Sequence, residues 1–131
     1  MVKGQIPYIV IFCLYIVAVI YLCFAKPDDV PSLEICFLGL PFDKVAHFIM
    51  FTPFPILAYK VFDSENLTNI RRGLLIFAIT AVGVGLAAMT ELIQSHLSYR
   101  SADVYDLFSD FTGICAGVVV VIIYYLIRGH K

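Results

Sequence analysis

The stretch RSADVYDLFSDFTGICAGVVVVIIYYLI, residues 100–127, decides the fold. Its carboxylates Asp103, Asp106 and Asp110 recur three and four residues apart, which is the spacing of one helix face. From Phe111 to Ile127 seventeen residues carry no charge. With the turns before it, this run is long enough to cross a bilayer. A membrane-crossing helix therefore carries three acids into its mouth. An ionised side chain facing hydrocarbon is costly, so this face is expected to line a cleft and not lipid.

The rest of the chain fits that reading. Of its 131 residues, 61% are hydrophobic and 15% charged, against about 25% charged in an ordinary soluble domain. The expected architecture is an all-α integral membrane bundle of four transmembrane helices, spanning about residues 6–25, 45–62, 73–95 and 104–127, in one domain over residues 1–131. The first span is too long for a signal-peptide core and reads as a retained anchor. Pro53 and Pro55 predict a kink near Thr52 in the second. A net charge of −1 gives no footprint for nucleic acid. Cys13, Cys23, Cys36 and Cys115 form no CxxC pair and read as packing residues.

Orientation follows from the basic residues of short loops. With four spans, Lys3, Lys60, Arg71, Arg72, Arg128 and Lys131 share one side, and Lys26, Lys44 and Arg100 the other. This predicts a multi-pass protein of the bacterial cytoplasmic (inner) membrane with both termini cytoplasmic.

Three helix ends then bring polar residues to the outer level: Asp43, Lys44 and His47 start the second span, Glu91 and Gln94 end the third, and Asp103, Asp106 and Asp110 start the fourth, with Arg100 between. Asp43 and Asp103 suit helix N-caps. Asp110 lies too deep for capping, and Glu91 sits near a helix C-terminus where the dipole opposes an acid. Both need partners, and Lys44, His47 and Arg100 are the candidates. Below them, Gly83 and Ala87 on the third span and Gly113 and Gly117 on the fourth form small-residue stripes, expected to face each other.

DKVAHFIMF (residues 43–51), ELIQ (91–94) and RSADVYDLFSDFTGICAG (100–117) together resemble the VanZ-like membrane proteins. The family pattern D-K-x-x-H-F, E-x-x-Q and R-x-x-D-x-x-D-x-x-x-N-x-x-G-x-x-x-G is matched at Asp43, Lys44, His47 and Phe48, at Glu91 and Gln94, and at Arg100, Asp103, Asp106, Gly113 and Gly117. This chain departs at Asp110, where the family usually has Asn. The family is named for a protein associated with teicoplanin resistance, so the resemblance implies a role in the cell envelope.

Several functions suit such a cluster. The first is binding of an anionic or sugar-bearing membrane lipid, a lipid-linked cell-wall intermediate or a lipoglycopeptide, with Lys44 and Arg100 holding anionic groups and the acids bonding hydroxyl or ammonium groups. The alternative is a membrane-embedded enzyme. His47 with Glu91 or Asp106 would then act as acid and base, or a His–carboxylate set would hold a metal, on a lipid-linked substrate. Ser101 and Ser109 lie in no nucleophile motif, no compact metal motif such as H-E-x-x-H occurs, and no cofactor is expected. A transporter would need polar residues across both leaflets. The remaining reading is purely structural, with ion pairs fixing the register of the bundle. His96 and His130 read as solvated.

Overall fold

The structure, a computed structural model, describes residues 3–25, 36–37, 40–98 and 103–129. It is an all-α bundle of four helical segments long and apolar enough to span a membrane: Lys3–Phe24, Asp43–Phe62, Asn69–Ser95 and Val104–Gly129. The chain is a multi-pass membrane protein. Within these segments lie α1 (Ile6–Phe24), α2 (Phe42–Phe51), α3 (Pro53–Phe62), α4 (Asn69–Ser95) and α5 (Val104–Gly129). A short antiparallel pairing, Cys36–Phe37 with Leu40–Pro41, precedes α2.

The second span breaks where its prolines fall. Pro53 and Pro55 have no N–H to give to the preceding turn, and the helix divides at Thr52. There the Thr52 hydroxyl donates to the Phe48 carbonyl at 2.7 Å, and Tyr15 Oη on α1 donates to the Met50 carbonyl at 2.5 Å. The third helix begins at Asn69, ahead of the expected residue 73. The Thr68 side chain accepts from the Arg71 N–H and caps it, so Arg71 and Arg72 form its first turn. Length in hydrocarbon and length of helix differ here by that charged turn.

The core has two parts. Val19, Cys23, Phe51, Ala87 and Ile114 pack on one side of the break. Phe54, Ala58, Tyr59, Ile79 and Val121 pack on the other. Leu14, Phe77, Val119 and their neighbours face outward, as lipid-facing residues do.

The glycine stripe of α5 packs, but against a different helix from the one expected. A Cβ at Gly113 would come within 2.5 Å of the Phe48 carbonyl oxygen, and one at Gly117 within 2.9 Å of the Pro55 ring. Both glycines thus seat α2 and α3 instead of the small residues of α4. On α4, Gly83 abuts Phe54 and Ile114, and Ala87 is fully buried. The backbone of the second span lies against α5 at Phe48 and Thr52, and only glycine leaves room for it there.

Candidate functional site

The α2–α5 contact sets the site. Along it, Lys44 meets Asp103 and Asp106, His47 meets Asp110, Phe48 meets Gly113 and Pro55 meets Gly117. Residue numbers rise together on both sides, so α2 and α5 run parallel and start at the same end of the bundle. Their N-terminal dipoles both favour acids there. The i, i+3, i+4 spacings of D-K-x-x-H and D-x-x-D-x-x-x-D therefore mesh as rungs between two helices.

Lys44 is the hub. Its Nζ donates to Asp43 Oδ2 at 2.9 Å, Asp103 Oδ2 at 2.5 Å and Asp106 Oδ1 at 2.5 Å. Three donors meet three acceptors, so the ammonium is saturated. The Lys44 hydrogen bond and the Tyr105 N–H hold the Asp103 carboxyl below its ordinary range. Asp103 also caps α5: its Oδ1 accepts from the Tyr105 N–H at 2.9 Å. Asp43 lies inside the first turn of α2 and is not its cap; its side chain is 59% exposed.

One turn deeper, His47 Nδ1 lies 2.8 Å from Asp110 Oδ1, and His47 Nε2 lies 3.7 Å from Asp106 Oδ2. Asp110 has no exposure. With Asp110 ionised the carboxylate can only accept, so Nδ1–H is then the donor; the other edge of the ring faces Asp106. Glu91 closes the group from α4: its Oε1 accepts from the Asp103 N–H at 2.6 Å. Glu91 and Asp106 are within electrostatic reach of both His47 and Asp110. Among the described residues, Glu91 Oε2 and Asp110 Oδ2 are buried without a hydrogen-bond donor.

Of the residues singled out in the sequence, seven meet in this cluster: Asp43, Lys44, His47, Glu91, Asp103, Asp106 and Asp110. Gln94 does not join the ion pairs. It is buried and donates through Nε2 to the Cys23 carbonyl at 2.7 Å, tying the end of α1 to α4. Arg100, expected to compensate the acids, lies outside the described residues, as does His130. His96 is exposed and contacts the Leu92 carbonyl and Ser95, away from the cluster. Among the described residues no group of three or more His, Cys, Asp and Glu side chains is arranged to hold a metal ion.

A second polar group, not anticipated from the sequence, occupies the other end. Asp63, after α3, pairs with Arg72 of α4 at 3.2 Å and Arg128 of α5 at 3.3 Å. Gln5 donates to the carbonyls of Val61 and Asp63 at 3.3 and 3.0 Å. The signal was present in the span order, which puts residues 5, 63, 72 and 128 at one membrane level.

Fold and site define a small multi-pass helical membrane protein with an ionic cluster at one end of the bundle, built between two parallel helix starts. The model of the VanZ/LLP1 family matches residues 12–127, and the chain belongs to that family. It is also similar to an uncharacterised protein of Schizosaccharomyces pombe, 31% identical over 121 residues. That match covers 92% of this chain and 66% of the relative, so the chain spans just under two thirds of the relative's length. No solved structure matches.

Proposed function

We propose that residues 1–131 act as one domain whose cluster around Lys44 and His47 binds the head group of a membrane lipid entering from one leaflet. The observation that carries this reading is the charge balance. Asp43, Glu91, Asp103, Asp106 and Asp110 face a single saturated lysine among the described residues. Such a surface offers acceptors, and its natural ligands are donors: the hydroxyl groups of a sugar-bearing head group, as on a glycolipid, a lipid-linked cell-wall intermediate or a lipoglycopeptide. Asp43 and Asp103 at the exposed rim would make first contact. Asp106, His47 and Asp110 would form the floor. Saturation of Lys44 favours the sugar-bearing over the purely anionic ligand.

The VanZ resemblance supports an envelope setting, and tolerance to teicoplanin would follow if the drug's sugars or lipid tail were held away from its target. The relative in fission yeast favours a head group common to unlike membranes. The test is mass spectrometry of lipids that co-purify with the wild type and with Asp106→Asn, together with glycopeptide tolerance of cells expressing each. Selective loss of a glycosylated lipid in the variant, at equal protein level, supports the reading. Identical lipid profiles would defeat it.

A second reading has its own observation. Asp110 fixes the His47 ring through Nδ1 and turns Nε2 toward Asp106 and the cleft, an arrangement suited to proton transfer. In that case the bound lipid would be a substrate, and His47→Gln would retain lipid while abolishing its turnover.

A further inference from the structure

The end of the bundle opposite the acidic cluster has the reverse charge balance. Among the described residues it holds Lys3, Lys60, Arg71, Arg72 and Arg128 against Asp63 and Glu65. Asp63 is nearly buried and already meets two guanidinium groups. Glu65 is exposed and lies 3.7 Å from Arg128, a contact of the kind that exchanges readily with solvent.

Lys60 makes no ion pair with a described carboxylate. Its Nζ instead lies 3.9 Å from the centroid of the Tyr124 ring and 5.9 Å from that of Tyr8. The two rings hold the ammonium at the level where aromatic residues line a membrane surface. Arg128 follows Tyr124 by one helical turn and is half-exposed. Lys60 and Arg128 both lie within electrostatic reach of the Tyr124 phenol. A point-charge donor, a guanidinium fork and a hydroxyl thus converge at one interfacial position. They lie at the C-terminal ends of α3 and α5, whose dipoles favour cations.

We infer that Lys60, Tyr124 and Arg128 form a binding site for a phosphate group at the membrane surface. Lys60 supplies an ammonium with no described carboxylate on it, unlike saturated Lys44. Arg128, with Nη1 on Asp63, supplies the Nη2 donors that the exposed Glu65 contact releases to phosphate oxygens. Arg72 offsets Asp63, so the site carries net positive charge. The phosphate is that of an anionic phospholipid head group or a free phosphate ester. This site is separate from the acidic cleft and does not depend on what the cleft binds.

The test compares wild type, Lys60→Gln, Lys60→Arg and Arg128→Gln, with Lys44→Gln as the cleft control. Each protein is placed in nanodiscs of phosphatidylcholine with a minor fraction of phosphatidylglycerol, extracted, and its retained lipid read by native mass spectrometry. Wild type, Lys60→Arg and Lys44→Gln are expected to retain phosphatidylglycerol. Lys60→Gln and Arg128→Gln are expected to retain roughly fivefold less, the effect of about one interfacial cation. A parallel arm adds inorganic phosphate to detergent-solubilised protein and follows the melting temperature. Stabilisation by phosphate that Lys60→Gln abolishes, without selective lipid retention, assigns the site to a soluble phosphate. Equal retention in all five proteins with no phosphate stabilisation overturns the inference. So does loss in Lys44→Gln matching that in Lys60→Gln.

Discussion

His47 and Asp110 meet at 2.8 Å across the α2–α5 contact, and Asp110 has no exposure. This pair lies one turn below the Lys44 hub and one turn above the glycine Gly113 that lets the helices touch. It is therefore both a structural rung and the deepest polar contact of the cluster.

Replacing Asp110 should separate charge from hydrogen bonding. Asp110→Leu leaves His47 Nδ1 buried without its acceptor, and loss of one member of a buried pair costs about 3–5 kcal/mol. Asp110→Asn keeps an oxygen to accept from Nδ1–H, so the loss should be nearer about 1 kcal/mol. Thermal unfolding in detergent distinguishes the two. A leucine variant as stable as wild type would show that the pair does not hold the bundle.

The glycines give a second expectation. Gly113→Ala and Gly117→Ala place a methyl group against the Phe48 carbonyl and the Pro55 ring, and overpacking of this kind costs about 1–3 kcal/mol. Gly85 is exposed on α4, with nothing within 4 Å of its Cβ position. Gly85→Ala should be neutral or stabilising by up to about 1 kcal/mol, from helix propensity alone. Equal melting temperatures for Gly117→Ala and Gly85→Ala would contradict the seating of α3 on α5.

Much of this arrangement was legible in the sequence. Four apolar runs gave the spans, because hydrocarbon thickness fixes their length. Pro53 and Pro55 gave the break at Thr52, because proline removes the same hydrogen bonds in any helix. The polar residues could be gathered at one end by counting spans. Which helices face each other was less accessible. Asp103, Asp106 and Asp110 share a face with Gly113 and Gly117, but that face could meet α4 or the second span equally well by spacing. The close approach of the Phe48 carbonyl and the Pro55 ring to the two glycines decides it, and such an approach is a property of the packed bundle. Gln94 likewise shares the Glu91 face, yet the last turn of α1 brings the Cys23 carbonyl to it.

Acid should weaken the Lys44 hub. The Lys44 hydrogen bond lowers the Asp103 carboxyl below its ordinary value of 3.8. A carboxyl depressed in the folded state stabilises it above the unfolded value and loses that contribution as pH falls through the folded value. Stability from this contact is thus complete above about pH 4 and disappears below it. Asp103→Asn keeps an oxygen for the Tyr105 N–H and remains a good cap, but it removes the titration. Melting temperatures from about pH 7 down to about pH 3 should fall less steeply for the variant than for wild type. Parallel curves would remove Asp103 from the ionic hub.

The opposed charge of the two ends fixes a last expectation, the direction of the bundle in the membrane. The end with Lys60, Arg71, Arg72 and Arg128 should face the cytoplasm, since basic loops are retained there. Glu65 is 90% exposed at that end, and Ser98 is exposed at the end with Lys44 and Asp103. With Cys13, Cys23, Cys36 and Cys115 replaced by alanine, a single cysteine can report each side. Ser98→Cys should react with a membrane-impermeant maleimide added to intact cells. Glu65→Cys should react only after permeabilisation. The reverse pattern would place the acidic cluster on the cytoplasmic leaflet, where it would meet a different set of lipids, and the envelope reading of its ligand would fail with it.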